Sequence, residues 1–183
     1  MKKIKTKIDG LFIIHNELFN DERGWFMESW NIEKYKKNNL NINFEQDNIS
    51  VSKKNVLRGL HFQNQPYGQT KYVRVMQGKV LDVVVDLRKQ SKTFGEHVAI
   101  ELSNSQHGLW IPAGMAHGFL SLEENTVFSY KCSGGYNPKH EHTIKWNDQD
   151  INIQWGTNKP IVSDKDKNGM SLKSYLESNQ ING

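Results

Sequence analysis

The segment Lys71-Tyr-Val-Arg-Val-Met-Gln-Gly-Lys-Val-Leu-Asp-Val-Val-Val-Asp-Leu87 decides the fold class of this chain. Its two apolar runs, Lys71–Met76 and Val80–Leu87, are rich in β-branched residues and are separated by a short turn. Gly78 can adopt the positive φ of a tight turn, so the segment predicts a β-hairpin. The same rhythm, with turn residues about every eight to twelve positions, continues from Val51 to Lys131 and predicts an all-β sandwich or small barrel.

Further strands and two short helices can be placed around this segment. Strands are predicted at Glu96–Leu102, at Leu109–Ile111, and as a pair formed by Gly118–Leu122 and Thr126–Cys132. Helical patterns are confined to the two ends of the chain, at Ile32–Lys37 with Asn31 as N-cap and at Met170–Glu177. Both helices are expected to be peripheral.

The length and apolar content fit one domain. The chain has 183 residues, of which 36% are apolar, and this supports one substantial core better than two small ones. We expect a single domain with an N-terminal arm at about residues 1–45, a barrel at about 46–155 and a C-terminal extension at about 156–183.

Charge and hydropathy exclude several classes of partner. The net charge is +4, but basic and acidic residues interleave, so no nucleic-acid-binding surface is expected. No apolar stretch approaches the roughly 20 residues of a membrane span, and Asp9 interrupts the basic start before a signal peptide could form. Cys132 is the only cysteine, so no internal disulfide is possible. We therefore expect a cytoplasmic protein that binds neither nucleic acid nor membrane.

Charged residues within the predicted strands are the first candidates for chemistry, because a charge inside a barrel must be paired or must serve a ligand. His61 could be either a structural or a catalytic residue. The other candidates are Lys71, Arg74, Asp82 and Asp86. They could face solvent or pair with one another, and their spacing does not decide between these alternatives.

Pro112-Ala-Gly-Met-Ala-His117 matches the second motif of cupin barrels, Pro-x-Gly-x-x-His, in which the histidine begins a strand and points inward. The first cupin motif would supply His-x-His and a glutamate to a metal before this point in the chain. The His-x-His of this chain, His140-Glu-His142, comes after the second motif, in a segment rich in Pro and Asn. We therefore expect no bound transition metal.

Tyr130 and Cys132 lie on the following predicted strand. A tyrosine on a barrel strand either packs or donates a proton if a base lies across the cavity. Cys132 could act as a nucleophile only beside a histidine, and we expect it to be a small buried hydrophobic side chain.

Ten segments together form a specific pattern: Asp21–Glu28, Gln46–Asn48, Arg58–Gln63, Gln69–Lys71, Val85–Arg88, Ile111–Phe119, Tyr130–Lys131, Tyr136, Trp146–Asp148 and Ser163–Asp166. Through these segments, from about Gly10 to Asp166, the chain resembles the dTDP-4-dehydrorhamnose 3,5-epimerase family, cofactor-free cupins of nucleotide-sugar biosynthesis. The resemblance implies a cupin-type double-stranded β-helix, or jelly-roll, barrel. It also implies a homodimer and a role in dTDP-rhamnose biosynthesis, and through it in the synthesis of lipopolysaccharide or capsule.

The activity implied by the resemblance is that of an isomerase acting on a nucleotide-diphosphate sugar. It would invert C3 and C5 beside the C4 ketone of dTDP-4-dehydro-6-deoxy-D-glucose, giving dTDP-4-dehydro-L-rhamnose without a cofactor. The resemblance assigns the base to His61, oriented by Asp166, and the proton donor on the opposite face of the sugar to Tyr130. Lys71 would stabilise the enolate oxygen at O4.

The remaining matches imply binding roles. Arg23, Arg58 and Lys165 are expected at the diphosphate, Tyr136 would stack on the base and His117 would line the sugar pocket. The residues expected to hold nucleoside or sugar groups are Glu28, Gln46, Asn48 and Glu141. In the family, the residues at the positions of Arg23 and Glu28 reach into the site of the partner subunit.

Two features modify this interpretation. Strict alternation would place Arg58 and His61 on opposite faces of one strand, so we expect a bulge at Gly59. Gly156, Gln149 and Met115 stand where the family usually has Pro, Pro and Phe, and these changes leave the substrate open. The alternatives are a mono-epimerase, an epimerase of another nucleotide 4-keto sugar such as a GDP-4-keto-heptose, and a non-catalytic sugar-binding cupin.

Overall fold

A computed structural model describes residues 1–103 and 106–180. One sheet contains, in spatial order, β1 (Lys2–Lys5), β2 (Phe12–His15), β10 (His107–Ile111), β7 (Lys71–Gln77), β12 (Thr126–Cys132) and β5 (Gln46–Ser52). The second contains β13 (Glu141–Thr143), β6 (Val56–Gln63), β11 (Met115–Ser121), β8 (Val80–Asp86) and β9 (His97–Leu102). In addition, β14 (Ile161–Val162) pairs in parallel with β6, while β3 (Phe19–Asp21) and β4 (Gly24–Phe26) form a separate hairpin.

Successive strands alternate between the two sheets from β5 to β8 and again from β9 to β12. This alternation winds the chain into a jelly-roll, so the predicted all-β fold is confirmed. Apolar side chains from both sheets meet between them, among them Val73, Val84 and Leu109. The rings of Phe119 and Phe128 stack there with centroids 4.2 Å apart.

The chain ends cover part of the outer face of each sheet. At one end of the first sheet, Tyr72 and Trp110 pack against Tyr35 of helix α1 (Ile32–Lys37). On the second sheet, Leu57 and Leu120 belong to a buried cluster with residues from 144 to 175. The predicted boundaries of arm, barrel and extension stay a prediction, and residues 181–183 of the extension lie outside the described residues.

The predicted hairpin pairing is wrong. β7 pairs with β10 and β12, whereas β8 pairs with β9 and β11 in the other sheet. Gly78 does have a positive φ, of 83°, but the turn carries the chain from one sheet to the other. The predicted pairing of Gly118–Leu122 with Thr126–Cys132 is wrong for the same reason, since β11 and β12 belong to different sheets. Two strands joined by a turn between sheets can be as buried as the two strands of a hairpin, so their apolar pattern does not distinguish the two arrangements.

The helix predictions are confirmed with small changes. Asn31 caps α1 by accepting hydrogen bonds from the backbone N–H groups of Glu33 and Lys34. The second predicted helix is α3 (Leu172–Gln180), which buries Leu172 and Tyr175. A further helix, α2 (Asp164–Lys167), was not predicted, and it carries Asp166. No helix among the described residues has both the length and the apolar character needed to span a membrane.

Candidate active site

A cavity of about 610 Å³ opens between the two sheets. Of the predicted site residues, the structure brings to this cavity His61, Lys71, Tyr130, Asp166, Gln46, Asn48, Arg58, His117, Tyr136, Glu141 and Lys165. The two sheets contribute different groups: His61 comes from β6 in the second sheet, whereas Lys71 and Tyr130 come from β7 and β12 in the first. The stacked rings of Phe119 and Phe128 also line the cavity.

A β-bulge at Gly59 turns both Arg58 and His61 toward this cavity. On β11, His117 is opposite His61 and Phe119 is opposite Arg58, so one extra residue is inserted in β6. Gly59 has a φ of 133°, and a Cβ atom there would lie 2.5 Å from the Cα atom of Gly118. The predicted bulge is confirmed, and it needs glycine for both conformation and space.

His61 and Asp166 form a close pair. Nε2 of His61 lies 2.5 Å from Oδ1 of Asp166, whose side chain is almost wholly buried. A carboxylate can only accept hydrogen bonds, so Nε2 carries the hydrogen and Nδ1 is the basic nitrogen of the neutral ring. The pair therefore presents an imidazole whose tautomer is fixed for proton abstraction.

Asp166 is held in place from two further directions. Its Oδ2 accepts a hydrogen bond from the backbone N–H of Gly59 at 3.2 Å, and its own N–H donates to the N-cap residue Ser163. Burial alone would raise the pKa of Asp166, but the hydrogen bond and charge of His61 and the Gly59 N–H outweigh it and hold the pKa below its usual range. Asp166 is therefore a carboxylate at neutral pH.

The opposite wall supplies an amine and a phenol. Nζ of Lys71 lies 3.5 Å from the backbone oxygen of His61, so it reaches across the cavity to the strand that carries the base. Burial lowers the pKa of Lys71, an effect that Cys132 and Glu141 oppose. Burial also raises the pKa of Tyr130, so its hydroxyl keeps its proton at neutral pH.

Asp82 is a buried partner that sequence reasoning left undecided. It is fully buried, and both of its carboxylate oxygens lie 3.0 Å from Nε2 of His117. Asp86 is equally buried and accepts hydrogen bonds from Arg88. The solvent-facing alternative is thus wrong for both aspartates. A carboxylate within an apolar strand was the sequence signal that each aspartate is buried, but the sequence does not identify the partner of either one.

Polar groups surround the mouth of the cavity. Glu141 lies 2.6 Å from Nζ of Lys165 and 2.7 Å from the hydroxyl of Tyr136. Burial would raise the pKa of Glu141, but these two hydrogen bonds lower it below its usual range. Gln46 donates to Asn48 on β5 at 2.9 Å. The mouth can therefore offer both charged and amide groups to a ligand.

Arg58 is tied to β5 across the gap between the sheets. Its Nε donates to Oγ of Ser52 at 3.1 Å and its Nη2 to the backbone oxygen of Val51 at 3.2 Å. Two of the guanidinium nitrogens are thereby oriented, which fixes this cation at the cavity edge.

Arg23 and Glu28 lie away from the cavity of their own chain. Arg23 is at the turn between β3 and β4, with 85% of its side chain exposed, and it pairs with Asp21. Glu28 pairs with Lys34 and accepts a hydrogen bond from Asn31 at 2.8 Å. Their role toward a partner subunit stays a prediction.

Cys132 is buried, as expected, but it also lines the cavity and is paired with Lys71 across the strands β12 and β7. Burial raises the pKa of its thiol.

The segment around His140 and His142 is partly a strand rather than a loop, since β13 pairs His142 with Phe62. Within the described residues, no group of three or more His, Cys, Asp or Glu side chains is placed to hold a metal ion.

The family model and curated relatives that match this chain have the same description. A family model described as dTDP-4-dehydrorhamnose 3,5-epimerase matches residues 5–174. The chain is 47% identical over 174 residues to the dTDP-4-dehydrorhamnose 3,5-epimerase of Shigella flexneri, covering 94% of this chain and 96% of that protein.

Two solved structures are informative about ligands. The dTDP-6-deoxy-D-glucose-3,5-epimerase of Legionella pneumophila Philadelphia 1 in complex with dTDP-4-keto-L-rhamnose has a TM-score of 0.90 and 41% identity, covering 94% of this chain and 93% of that one. A 3'-monoepimerase from Streptomyces bikiniensis in complex with dTDP-quinovose has a TM-score of 0.91 and 31% identity, covering 96% of this chain and 90% of that one.

Proposed function

The chain belongs to the dTDP-4-dehydrorhamnose 3,5-epimerase family, and on this premise we propose that its cavity converts dTDP-4-dehydro-6-deoxy-D-glucose into dTDP-4-dehydro-L-rhamnose. One observation carries the proposal: His61 on one sheet, paired with Asp166 of helix α2, shares a cavity with Lys71 and Tyr130 on the other sheet. A sugar held between the sheets would have a base on one face and a proton donor on the opposite face. Inversion of a carbon centre requires that a proton leave one face and return to the opposite face.

The proposed reaction is a proton transfer repeated at two carbons. Nδ1 of His61 removes the proton from C3 or C5, the C–H electron pair forms a double bond from that carbon to C4, and the π electrons of the C4 carbonyl move onto O4 to give an enolate. The new positive charge on His61 is stabilised by Asp166. Tyr130 then delivers its proton to the same carbon from the opposite face as the carbonyl re-forms. Proton exchange with solvent restores His61 and Tyr130 for the second centre.

Lys71 stabilises the charge that develops on O4 in this proposal. A preorganised cation near a forming oxyanion typically lowers the barrier by about 3–4 kcal/mol. His117, held by Asp82, lines the sugar pocket. Both C–H bonds that break are acidified by the carbonyl of the substrate itself, so the proposed reaction needs neither a metal nor a redox cofactor.

Substrate binding uses the groups at the mouth. Arg58 and Lys165 bind the diphosphate, and Tyr136, which is 56% exposed, stacks on the base. Gln46, Asn48 and Glu141 hold nucleoside or sugar groups.

Solvent deuterium tests the proposal. In D₂O, NMR of the reaction should show deuterium entering both C3 and C5. His61→Ala should abolish exchange at both carbons, whereas Tyr130→Phe should retain exchange and impair inversion. Unchanged turnover in both variants would refute the assigned roles.

A mono-epimerase is the second candidate, because the Streptomyces bikiniensis 3'-monoepimerase shares this fold with a TM-score of 0.91. Deuterium exchange at C3 alone in the unmodified protein would identify the chain as a mono-epimerase. A parallel reaction with a GDP-4-keto-heptose tests the choice of nucleotide and sugar. If the substrates bind without any exchange, the chain is a non-catalytic sugar-binding cupin.

The active form is a homodimer in this proposal. Ile49, Val51 and Met76 are exposed on the outer face of the first sheet, which leaves an apolar surface for a second copy to cover. Arg23 and Glu28, which do not reach their own cavity, would complete the diphosphate and nucleoside sites of the partner subunit.

Mixed dimers can test this arrangement. Arg23→Ala and His61→Ala proteins should each be impaired, but after subunit exchange one site in each mixed dimer has both native residues. About a quarter of the unmodified activity should return, because about half of the dimers are mixed and one site in two is intact. No recovery would mean that Arg23 serves its own chain.

The proposed cellular setting is cytoplasmic. The single cysteine forms no disulfide that would favour an oxidising compartment. The product would supply dTDP-rhamnose synthesis, and through it the building of lipopolysaccharide or capsule.

A further inference from the structure

Ser50 carries a hydroxyl that has no hydrogen-bond partner within the described residues, although its Oγ atom is buried. It lies on β5, where side chains alternate between the cavity and the outer surface. Gln46, Asn48 and Ser50 line the cavity, whereas Ile49 and Val51 point outward and are exposed. The orphan hydroxyl therefore belongs to the cavity wall. A buried hydroxyl without a partner is unfavourable, and a bound ligand could supply that partner.

The neighbours of Ser50 indicate the chemistry of that ligand. Arg58 is tied to the two residues that follow Ser50, by its Nη2 to the oxygen of Val51 and by its Nε to Oγ of Ser52. The bound guanidinium thus lies beside the Ser50 segment and leaves Nη1 for a ligand. On β12, the strand that pairs with β5, Phe128 is opposite Ser50 and offers no polar group. A hydroxyl between a guanidinium and an aromatic ring favours an anionic oxygen.

We propose that Ser50 is a phosphate-binding residue, whose hydroxyl donates to a phosphoryl oxygen of the nucleoside diphosphate that Arg58 also binds. The proposal rests on the proposed function, because it takes the diphosphate from that substrate. The Oγ atom is buried in the cavity wall, and rotation about χ1 to another staggered position would bring it to the ligand. Arg58 provides the charge and Ser50 a directed donor, so together they distinguish a phosphate from a sugar hydroxyl.

The test measures binding rather than turnover. Calorimetry gives the Kd of dTDP and of thymidine for the unmodified protein and for Ser50→Ala. Loss of one hydrogen bond to a charged oxygen should weaken dTDP about 10- to 100-fold, while thymidine, which has no phosphate, should bind as before. Ser50→Thr, which keeps the hydroxyl, should restore most of the dTDP affinity.

Ser129→Ala is the matched control. Ser129 is a serine on the neighbouring strand β12 of the same sheet, and it does not line the cavity. Its variant should bind dTDP like the unmodified protein. A Kd for dTDP within about twofold of normal in Ser50→Ala, or equal weakening of dTDP and thymidine, would overturn the proposal. If the unmodified protein binds no dTDP, the proposed substrate fails, and that outcome is distinct from a selective defect in Ser50→Ala.

Discussion

Gly59→Ala should both destabilise the protein and displace its proposed base. The backbone at Gly59 has a φ of 133°, a conformation that costs an alanine about 1–3 kcal/mol. The new Cβ would also lie 2.5 Å from the Cα of Gly118 and 3.0 Å from the backbone oxygen of His117. Backbone atoms of a paired strand cannot move aside cheaply, and overpacking of this kind adds about 1–3 kcal/mol.

The combined loss of about 2–6 kcal/mol is large beside the 5–15 kcal/mol that stabilises a typical domain. It should lower the unfolding temperature by roughly 4–24 °C, measured by calorimetry. The strand can relieve the contact only by changing the bulge, which would turn Arg58 or His61 away from the cavity. Turnover of the folded fraction should therefore fall as well.

Two other glycines distinguish the cost of a positive φ from the cost of a close contact of the added Cβ. Gly156 has a φ of 75° with nothing within 4 Å of an added Cβ, so Gly156→Ala reports conformational strain alone. Gly135 has the same free space without a positive φ, so Gly135→Ala should be close to neutral. If Gly59→Ala lowers the unfolding temperature no more than Gly156→Ala does, the argument from close approach to Gly118 is refuted.

Three further predictions concern the charged groups. Asp166→Asn should lower kcat about 10²- to 10⁴-fold in an NMR turnover assay, because the amide no longer stabilises charged His61; activity within threefold would contradict the pairing. Lys71→Met should lower kcat about 10²- to 10³-fold with a smaller change in KM, as expected for an oxyanion stabiliser. Hydrogen bonds from Arg88, Ser91 and Thr93 outweigh burial and lower the pKa of Asp86 from 3.8 to about 2. Because the pKa of Asp86 is lower in the folded protein than in the unfolded chain, its carboxylate stabilises the fold above about pH 4. About 2 kcal/mol of the free energy of unfolding should therefore be lost as the pH falls from about 4 to 2. Urea unfolding should show this loss in the unmodified protein and much less of it in Asp86→Asn.

Sequence predicted the strands better than their pairing. Val80–Leu87 is so apolar that a buried strand was evident, but Gly78 would serve a hairpin and a turn between sheets equally well. The pairing depends on contacts between residues distant in sequence, such as those between Trp110 and Tyr72 on β10 and β7. Local pattern carries no information about them.

Some features of the candidate site were predicted from the sequence and others were missed. The family resemblance singled out His61 and Asp166, and the structure places them 2.5 Å apart. Helix α2, which carries Asp166, has four charged residues and is too short to show an amphipathic period, so its existence was missed. Asp82 was noticed but not assigned, because the proximity of His117 arises only when β8 and β11 pair side by side.

The division of the proposed catalytic groups between two sheets links reaction geometry to core packing. The base and its carboxylate are carried by one wall, the cation and phenol by the other, and the stacked rings of Phe119 and Phe128 lie between the walls at a centroid separation of 4.2 Å. We expect these rings to act as a spacer between the wall that removes a proton and the wall that returns one. A smaller side chain at either position should let the walls approach and change the balance between abstraction and delivery at each carbon. Substitution of these apolar residues is therefore expected to alter which centres are inverted without any change to the groups that move protons.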